Sequence, residues 1–281
     1  DRVENLTFPL YRPSFLFYPV CTPCTPMFPL LAGKSYKLHL MLLLAASNMN
    51  SEAFAKFKSI LESVVYYTVI DKIATNITER TFALWCRDVR NIITVEDLDC
   101  FVKNTIIPTV NDWKLDNKSN FLRLGLNSMQ QYRIKFILGK ITAYVDALKL
   151  GKTTVEDLTT YTETAVEIEH IMPQTCTDKE LYGMDEEEFA VYINRLGNLT
   201  LLENTINRSI QNDVYANKAT YYKQSKFYIT SSISELVNLG QDTAINRTNS
   251  LLSSWSDWNK QAIEERQEMF YRLSEMIWEL R

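Results

Sequence analysis

A chain of 281 residues, 46% hydrophobic and 23% charged, is that of an ordinary globular protein with room for one large domain or two modest ones, and not that of a disordered one. Its formal net charge of -4 excludes a global attraction to nucleic acid, so any phosphate contact has to come from local patches. Only 7 glycines, with prolines gathered near the start, favour helices over a turn-rich sandwich or barrel.

In chain order, residues 7–30 hold prolines among Phe, Tyr and Leu, which predicts extended segments and short turns packed on a core. Cys21 and Cys24 have CxxC spacing, but no second pair or nearby His completes a zinc site. Five cysteines at irregular spacing read as reduced thiols of a cytoplasmic protein. The Asn-x-Ser/Thr triplets at Asn5, Asn76, Asn198, Asn207 and Asn246 carry no weight without a signal peptide. The apolar run Leu38 to Ala46 is far short of the ~20 residues a membrane span requires, so no membrane partner is expected. A start on Asp, straight into an aromatic, proline-rich stretch, leads us to expect a further N-terminal domain.

From Leu38 the pattern turns helical. Ser51 to Val69 has apolar residues at helical spacing, and a second run starts near Thr78. Thr94 is a candidate N-cap, with Glu96 and Asp97 in the following turn. Asn111 to Asn120 is polar and reads as a loop. A long helix is expected from about Ser128 to Leu148. Lys114, Lys118, Arg123, Arg133, Lys135, Lys140 and Lys149 make this the most basic part of the chain, either a solvated face or a phosphate-facing one. Val166 to His170 and Leu199 to Leu202 read as short strands, separated by an acidic stretch that includes Asp178, Glu180 and Asp185 to Glu188. Asn212 is placed as the cap of a helix through Tyr222, and Thr243 to Leu280 as one long helical segment.

Two segments carry chemistry: Ile168-Glu169-His170-Ile171-Met172-Pro173-Gln174 and Leu196-Gly197-Asn198-Leu199, followed by Asn207. A histidine with an ordinary pKa near ~6.5 can take a proton from water at neutral pH. Magnesium prefers oxygen ligands and keeps several waters, so one carboxylate and one amide carbonyl suffice on the protein side. Glu169 and Asn207 meet that requirement, with Asn204 the nearest substitute. Adjacent strand residues point to opposite faces, so Glu169 and His170 converge only if the strand is distorted at its end, as Pro173 allows. The bland alternatives are a satisfied buried His170, a surface Glu169 and an Asn207 that merely caps a helix. His39, inside an apolar run, reads as structural.

These segments resemble the HNH, or ββα-metal, nuclease motif, in which an acid and the catalytic His precede a hydrophobic-x-Pro and an Asn is followed about nine residues later by a metal-binding His or Asn. The longer run LGNLTLLENTIN, then NK and YYKQS, is similar to a narrower group: the C-terminal domain of GmrSD-type modification-dependent (type IV) restriction enzymes and of SspE-type phage-defence proteins. The resemblance implies a mainly α fold, a helical scaffold with an embedded ββα-metal motif and a long C-terminal helix. A scaffold over 1–160 would position DNA, and a nuclease region would span 161–281. It implies His170 as general base, Asn198 holding the loop that bears it, Glu169 and Asn207 at Mg2+ (Mn2+ as substitute), and Lys218, Lys223 and Arg208 on DNA. The activity implied is a DNA nick that leaves 5′-phosphate and 3′-hydroxyl ends, with a homodimer or a second visit needed to cut both strands. Sensing of modification, and any nucleotide hydrolysis, would fall to an N-terminal sensor or NTPase-type domain. A non-enzymatic binding module with a relic motif and an RNA-directed nuclease are the competing readings.

Overall fold

The computed structural model describes residues 37–152, 158–176, 182–210 and 212–280. The proline-rich segment, the Cys21–Cys24 pair, Asp178 and Glu180 lie outside them.

Helix α1 (Leu38–Ala45) lies against α3 (Thr75–Val89), and between them in sequence runs α2 (Ser51–Ile70). Asn50 caps α2 by accepting from the Ala53 amide. From Ile60 to Thr68 every residue of α2 is buried, so this helix is the axis of the scaffold. Helix α3 starts at Thr75, one turn before the expected Thr78, with Ala74 as its uncapped lead-in. Helix α4 (Val95–Phe101) begins with a capping box in which Thr94 and Asp97 each accept from the other's amide. A π-helical turn, Val102–Ile106, then joins α4 to α5 (Ile107–Trp113). Pro108, which has no N–H to give an α-helical ladder, sits just beyond that wider turn.

Of the stretch expected as a loop, Asn111 to Asn120, only residues 114–116 are a turn; the rest is the end of α5 and most of α6 (Asn117–Phe121). Its asparagines are ties rather than turn formers: the side-chain amides of Asn117 and Asn120 donate to the Asp71 carboxylate at 2.8 and 3.0 Å. Val110 and Phe121 fix the two helices by full burial.

Helix α7 (Gln131–Lys149) packs its Ile134, Ile137, Ile141 and Val145 stripe into the core. The basic residues around it are mostly engaged within the protein. Lys140 pairs with Glu62 at 2.7 Å, Lys118 with Glu268 at 2.6 Å, and Lys135 donates to the Glu163 and Val166 carbonyls. After the short α8 (Thr159–Thr162), strand β1 (Val166–His170) pairs antiparallel with β2 (Leu199–Glu203), Val166 opposite Glu203 and His170 opposite Leu199. Between them comes α9 (Glu186–Tyr192), capped by Asp185. Then follow α10 (Asn204–Ile210), α11 (Tyr215–Tyr222) and α12 (Tyr228–Ser231).

The C-terminal part is not one helical segment. Helix α13 (Ala244–Asn249) is separated from α14 (Lys260–Ile277) by a non-helical stretch with serines at 250, 253, 254 and 256. The Trp255 amide donates there to the Ile233 carbonyl, and Asn259 caps α14. This break puts Trp255 and Trp258 edge to face with ring centroids 5.6 Å apart and buries both indoles. One apolar cluster runs from Leu42 to Trp278, so scaffold and motif share a core. The fold is mainly α with a single two-stranded sheet among the described residues. No described helix is long and apolar enough to cross a membrane.

Candidate functional site

A cleft of about 790 Å3 opens at the end of β1 and gathers side chains from three elements: Glu169 and His170 from β1, Asn207 and Arg208 from α10, and Lys218 from α11. Gln131, Gln174 and Asn212 complete its polar wall. Glu169 and His170 occupy the last two positions of a strand that stays paired through His170. The chain bends at Ile171 and Met172, immediately before Pro173, and both side chains line the same cleft.

His170 is 9% exposed. Burial, and then the nearby Lys218 charge, lower its pKa to about 4, so its imidazole is neutral across the physiological range. Nδ1 lies 3.2 Å from the Gln174 amide nitrogen, and Nε2 is buried without a hydrogen-bond partner. Gln174 thus selects the tautomer. With its amide nitrogen donating, Nδ1 is the acceptor and Nε2 carries the proton; a half-turn of the amide reverses both roles.

Glu169 is buried, and Lys218, 1% exposed, donates to its Oε1 at 2.6 Å and to the His170 carbonyl at 2.7 Å. The Tyr222 hydroxyl donates to the same Oε1 at 3.0 Å. Burial pushes the Glu169 carboxyl up, and the Lys218 ammonium pulls it back. Lys218, expected as a phosphate contact, is therefore placed as a buried counter-ion joining α11 to the end of β1. Lys223 lies outside the cleft, more than half exposed, and pairs with Glu235 at 2.9 Å. Arg208 does line the cleft.

Asn207 lies inside α10 rather than at its start, and its amide nitrogen donates to Glu167 Oε2 at 2.7 Å. This bond directs the amide and leaves its carbonyl oxygen for another partner. Asn198 is fully buried. Its Oδ1 accepts from the Met172 amide at 2.8 Å and from the Trp258 indole at 2.9 Å, and its Nδ2 donates to the Ile193 carbonyl at 2.9 Å. Its backbone carbonyl accepts from the Ile171 amide. Asn198 is thus the node that holds the two residues after His170.

Asn212 does not cap α11; that position belongs to Val214. Its side chain accepts from the Gln174 and Thr175 amides at 2.8 and 3.4 Å and so fixes the far end of the His170 loop. The sequence reading also missed Glu167, Gln174, Tyr222, Trp258 and Arg266. Two of these had a signal: Glu167 shares a strand face with Glu169 by alternation, and Tyr222 shares a helix face with Lys218 at i, i+4. Arg266, fully buried, donates to the Gly197 and Leu199 carbonyls at 2.9 and 2.7 Å. Burial lowers its pKa to about 9, and it stacks on Phe270 with 4.4 Å to the ring centroid.

Around the 3-10 turn Leu196–Asn198 the backbone is sewn on both sides. Gln267 accepts from the Gly197 amide at 2.6 Å, and the Leu196 amide donates to Leu124 at 2.8 Å. The space is so tight that a Cβ on Gly197 would lie 2.2 Å from the Ile263 carbonyl oxygen, and one on Gly125 would lie 2.2 Å from that of Asn194.

Glu169, His170, Asn207 and Arg208 thus meet in one cleft at the end of a small antiparallel sheet. Residues 111–273 match the family model of the C-terminal domain of GmrSD restriction endonucleases. That match covers more than half of the chain, which therefore belongs to this family and is a restriction-endonuclease-type domain. No curated protein matches it.

Proposed function

We propose that the cleft at the end of β1 is the active site of a metal-dependent DNA endonuclease of the HNH type, and that it nicks one strand per event. The observation that carries this reading is the convergence of a neutral His170 with Glu169, Asn207 and Arg208 in one open cleft. In the proposed step, His170 accepts a proton from a water whose oxygen forms a bond to phosphorus. The bond from phosphorus to the 3′ oxygen breaks, leaving a 5′-phosphate and a 3′-hydroxyl that takes its proton from solvent. The base must present the lone pair of Nε2, which calls for the Gln174 amide to turn its oxygen toward Nδ1–H. Arg208 binds the phosphate through its guanidinium.

The donor set fits Mg2+. A carboxylate residue and an amide residue, Glu169 and Asn207, line the same cleft as His170, and no group of three or more His, Cys, Asp or Glu side chains suited to a metal occurs among the described residues. That is too little for a zinc site and enough for a cation that keeps most of its waters. Glu169 and Asn207 would hold it, with Mn2+ as a substitute, and it would supply charge neutralisation at the phosphate and at the departing oxygen. Lys218 and Tyr222 hold the Glu169 carboxylate in place, and Asn198 and Asn212 keep the His170 loop rigid from both ends.

The test is supercoiled plasmid incubated with the chain in Mg2+, Mn2+ or chelator, with RNA of matched sequence as a parallel substrate. Wild type is expected to nick DNA only with metal, and His170→Ala to lose about 10^2- to 10^4-fold in rate while melting as wild type does. Nicking that survives chelator would overturn the metal-dependent mechanism. No cleavage by wild type with either metal would favour a binding module, and preferential loss of the RNA would redirect the activity to RNA.

A further inference from the structure

Strand β1 carries Glu167 and Glu169 on one face by alternation, and each meets a nitrogen donor from a different helix. Lys218 of α11 takes Glu169, and Asn207 of α10 takes Glu167. The two pairs differ in kind. An ammonium donates through all of its hydrogens, whereas a side-chain amide has one donating end and one accepting end. A carboxylate only accepts, so the 2.7 Å contact to Glu167 Oε2 is made by the amide nitrogen of Asn207 and not by its oxygen. Gln174, whose amide faces a neutral imidazole, can turn over and still bond to His170. Asn207 cannot turn over without losing Glu167.

Both partners are held from behind. The Asn204 amide donates to the Ala165 carbonyl at 2.9 Å, which docks the first turn of α10 beside the start of β1. Glu167 pairs with Leu202 in the ladder between the strands, so its backbone is fixed by the sheet. Lys135 of α7 donates to the Val166 carbonyl at 2.6 Å and sets its charge against Glu167. Glu167 is half-buried and is not among the residues lining the cleft, whereas Asn207 is. Glu167 therefore reaches the cleft through its neighbour.

We propose that Glu167 is a positioning residue for the metal: it keeps the amide nitrogen of Asn207 to its own side, so that the carbonyl oxygen is the end left for a cation before any cation is bound. This rests on the nuclease reading above and deepens it by naming the residue that sets up one of the two metal-binding side chains. A ligand whose orientation is fixed in advance need not be ordered by the ion, and loss of such an orienting partner costs about 10- to 100-fold in metal affinity.

The experiment measures Mn2+ binding to the full chain by loss of the free-ion electron paramagnetic resonance signal, beside the Mg2+ dependence of plasmid nicking. Glu167→Ala is expected to weaken Mn2+ binding by about 10- to 100-fold and to raise the Mg2+ concentration for half-maximal nicking in step. Glu167→Asp keeps the charge but withdraws it by one methylene, and should lose affinity as the alanine variant does. Glu167→Gln loses the charge but keeps an acceptor at the same reach, and should retain most of the affinity. With Asn207→Ala no amide is left to orient, so adding Glu167→Ala should cost nothing further. A further loss in that double variant would make Glu167 a ligand in its own right and overturn the proposal. Equal losses for glutamine and alanine would reduce the effect to charge alone and overturn it too. If Glu167→Ala fails to fold, glutamine against aspartate decides, and equal affinities for those two overturn the assignment. The two readings fail separately. If wild type binds Mn2+ and nicks plasmid, and Glu167→Ala does both equally well, the positioning role is wrong and the nuclease stands. If wild type binds no Mn2+, the metal-dependent reading falls and takes the positioning role with it.

Discussion

Glu62–Lys140 and Glu169–Lys218 are the same pair of groups in two regions of the molecule, at nearly equal distances of 2.7 and 2.6 Å. The first ties α2 to α7 in the scaffold, with side chains 9% and 13% exposed, and the Trp278 indole donates to Glu62 at 3.3 Å. The second lies at the cleft, with the Lys218 side chain 1% exposed, and its lysine also holds the backbone of His170. Both carboxylates are enclosed, so removing either lysine leaves a shielded charge; Glu62 then keeps the Trp278 indole as a donor, and of the two lysines Lys218 is the more deeply buried. The difference lies in what each lysine also holds: Lys218 fixes the backbone of His170, whereas Lys140 joins two scaffold helices.

Breaking the two pairs separates them most sharply. Lys218→Met leaves Glu169 buried without its counter-charge and is expected to cost about 3–5 kcal/mol, read by denaturant unfolding, together with loss of nicking. Adding Glu169→Gln should return much of the stability and none of the activity. Lys140→Met leaves Glu62 with the Trp278 donor and should cost less, about 2–3 kcal/mol, and leave the nicking rate within twofold. Equal losses from the two lysine variants would erase the distinction drawn here.

A smaller effect comes from pH. Both His170 and His39 have pKa values lowered by burial to about 4 from an ordinary 6.5. Between pH 6.5 and 4 the unfolded chain therefore binds more protons than the native one, so stability falls as pH falls through that window and is fully present above it. His39→Gln, which carries no titrating group, should flatten part of that slope in a pH series of melting temperatures. If the slope were unaltered, His39 would not be buried neutral. The smallest effect belongs to the exposed Lys223–Glu235 pair: Lys223→Ala is expected to shift stability by under about 0.5 kcal/mol and to leave DNA affinity unchanged, because Lys223 lies outside the cleft.

What could be read from the sequence divides along the range of the interactions. The helix of Ser51–Ile70 and the capping box at Thr94 are set by periodicity and by contacts three or four residues apart, which one chain displays openly. The two strands were legible for the same reason. Asn111 to Asn120 was misread because polar residues signal a loop only when nothing distant claims them, and Asp71 does so from 46 residues away. Lys218 was legible as a cation on a helix, but not as the partner of a carboxylate 49 residues earlier. Asn212 looked like a cap because its use by the Gln174 amide, across 38 residues, leaves no local trace. Family motif and strand order placed the site residues together; how each is employed there needed the fold.

Gly197 has a consequence for when the site can exist. Its turn rests flush on α14, and Arg266 reaches it from 69 residues further along the chain. A growing polypeptide carries every residue of the cleft well before that brace has been synthesised, so the motif is complete as text long before it is assembled as an object. Gly197→Ala wedges the two apart without touching a cleft residue. It should yield a chain whose nicking fails more steeply with temperature than its overall helicity does, and parallel loss of both would show that turn and helix do not act as a separate coupling.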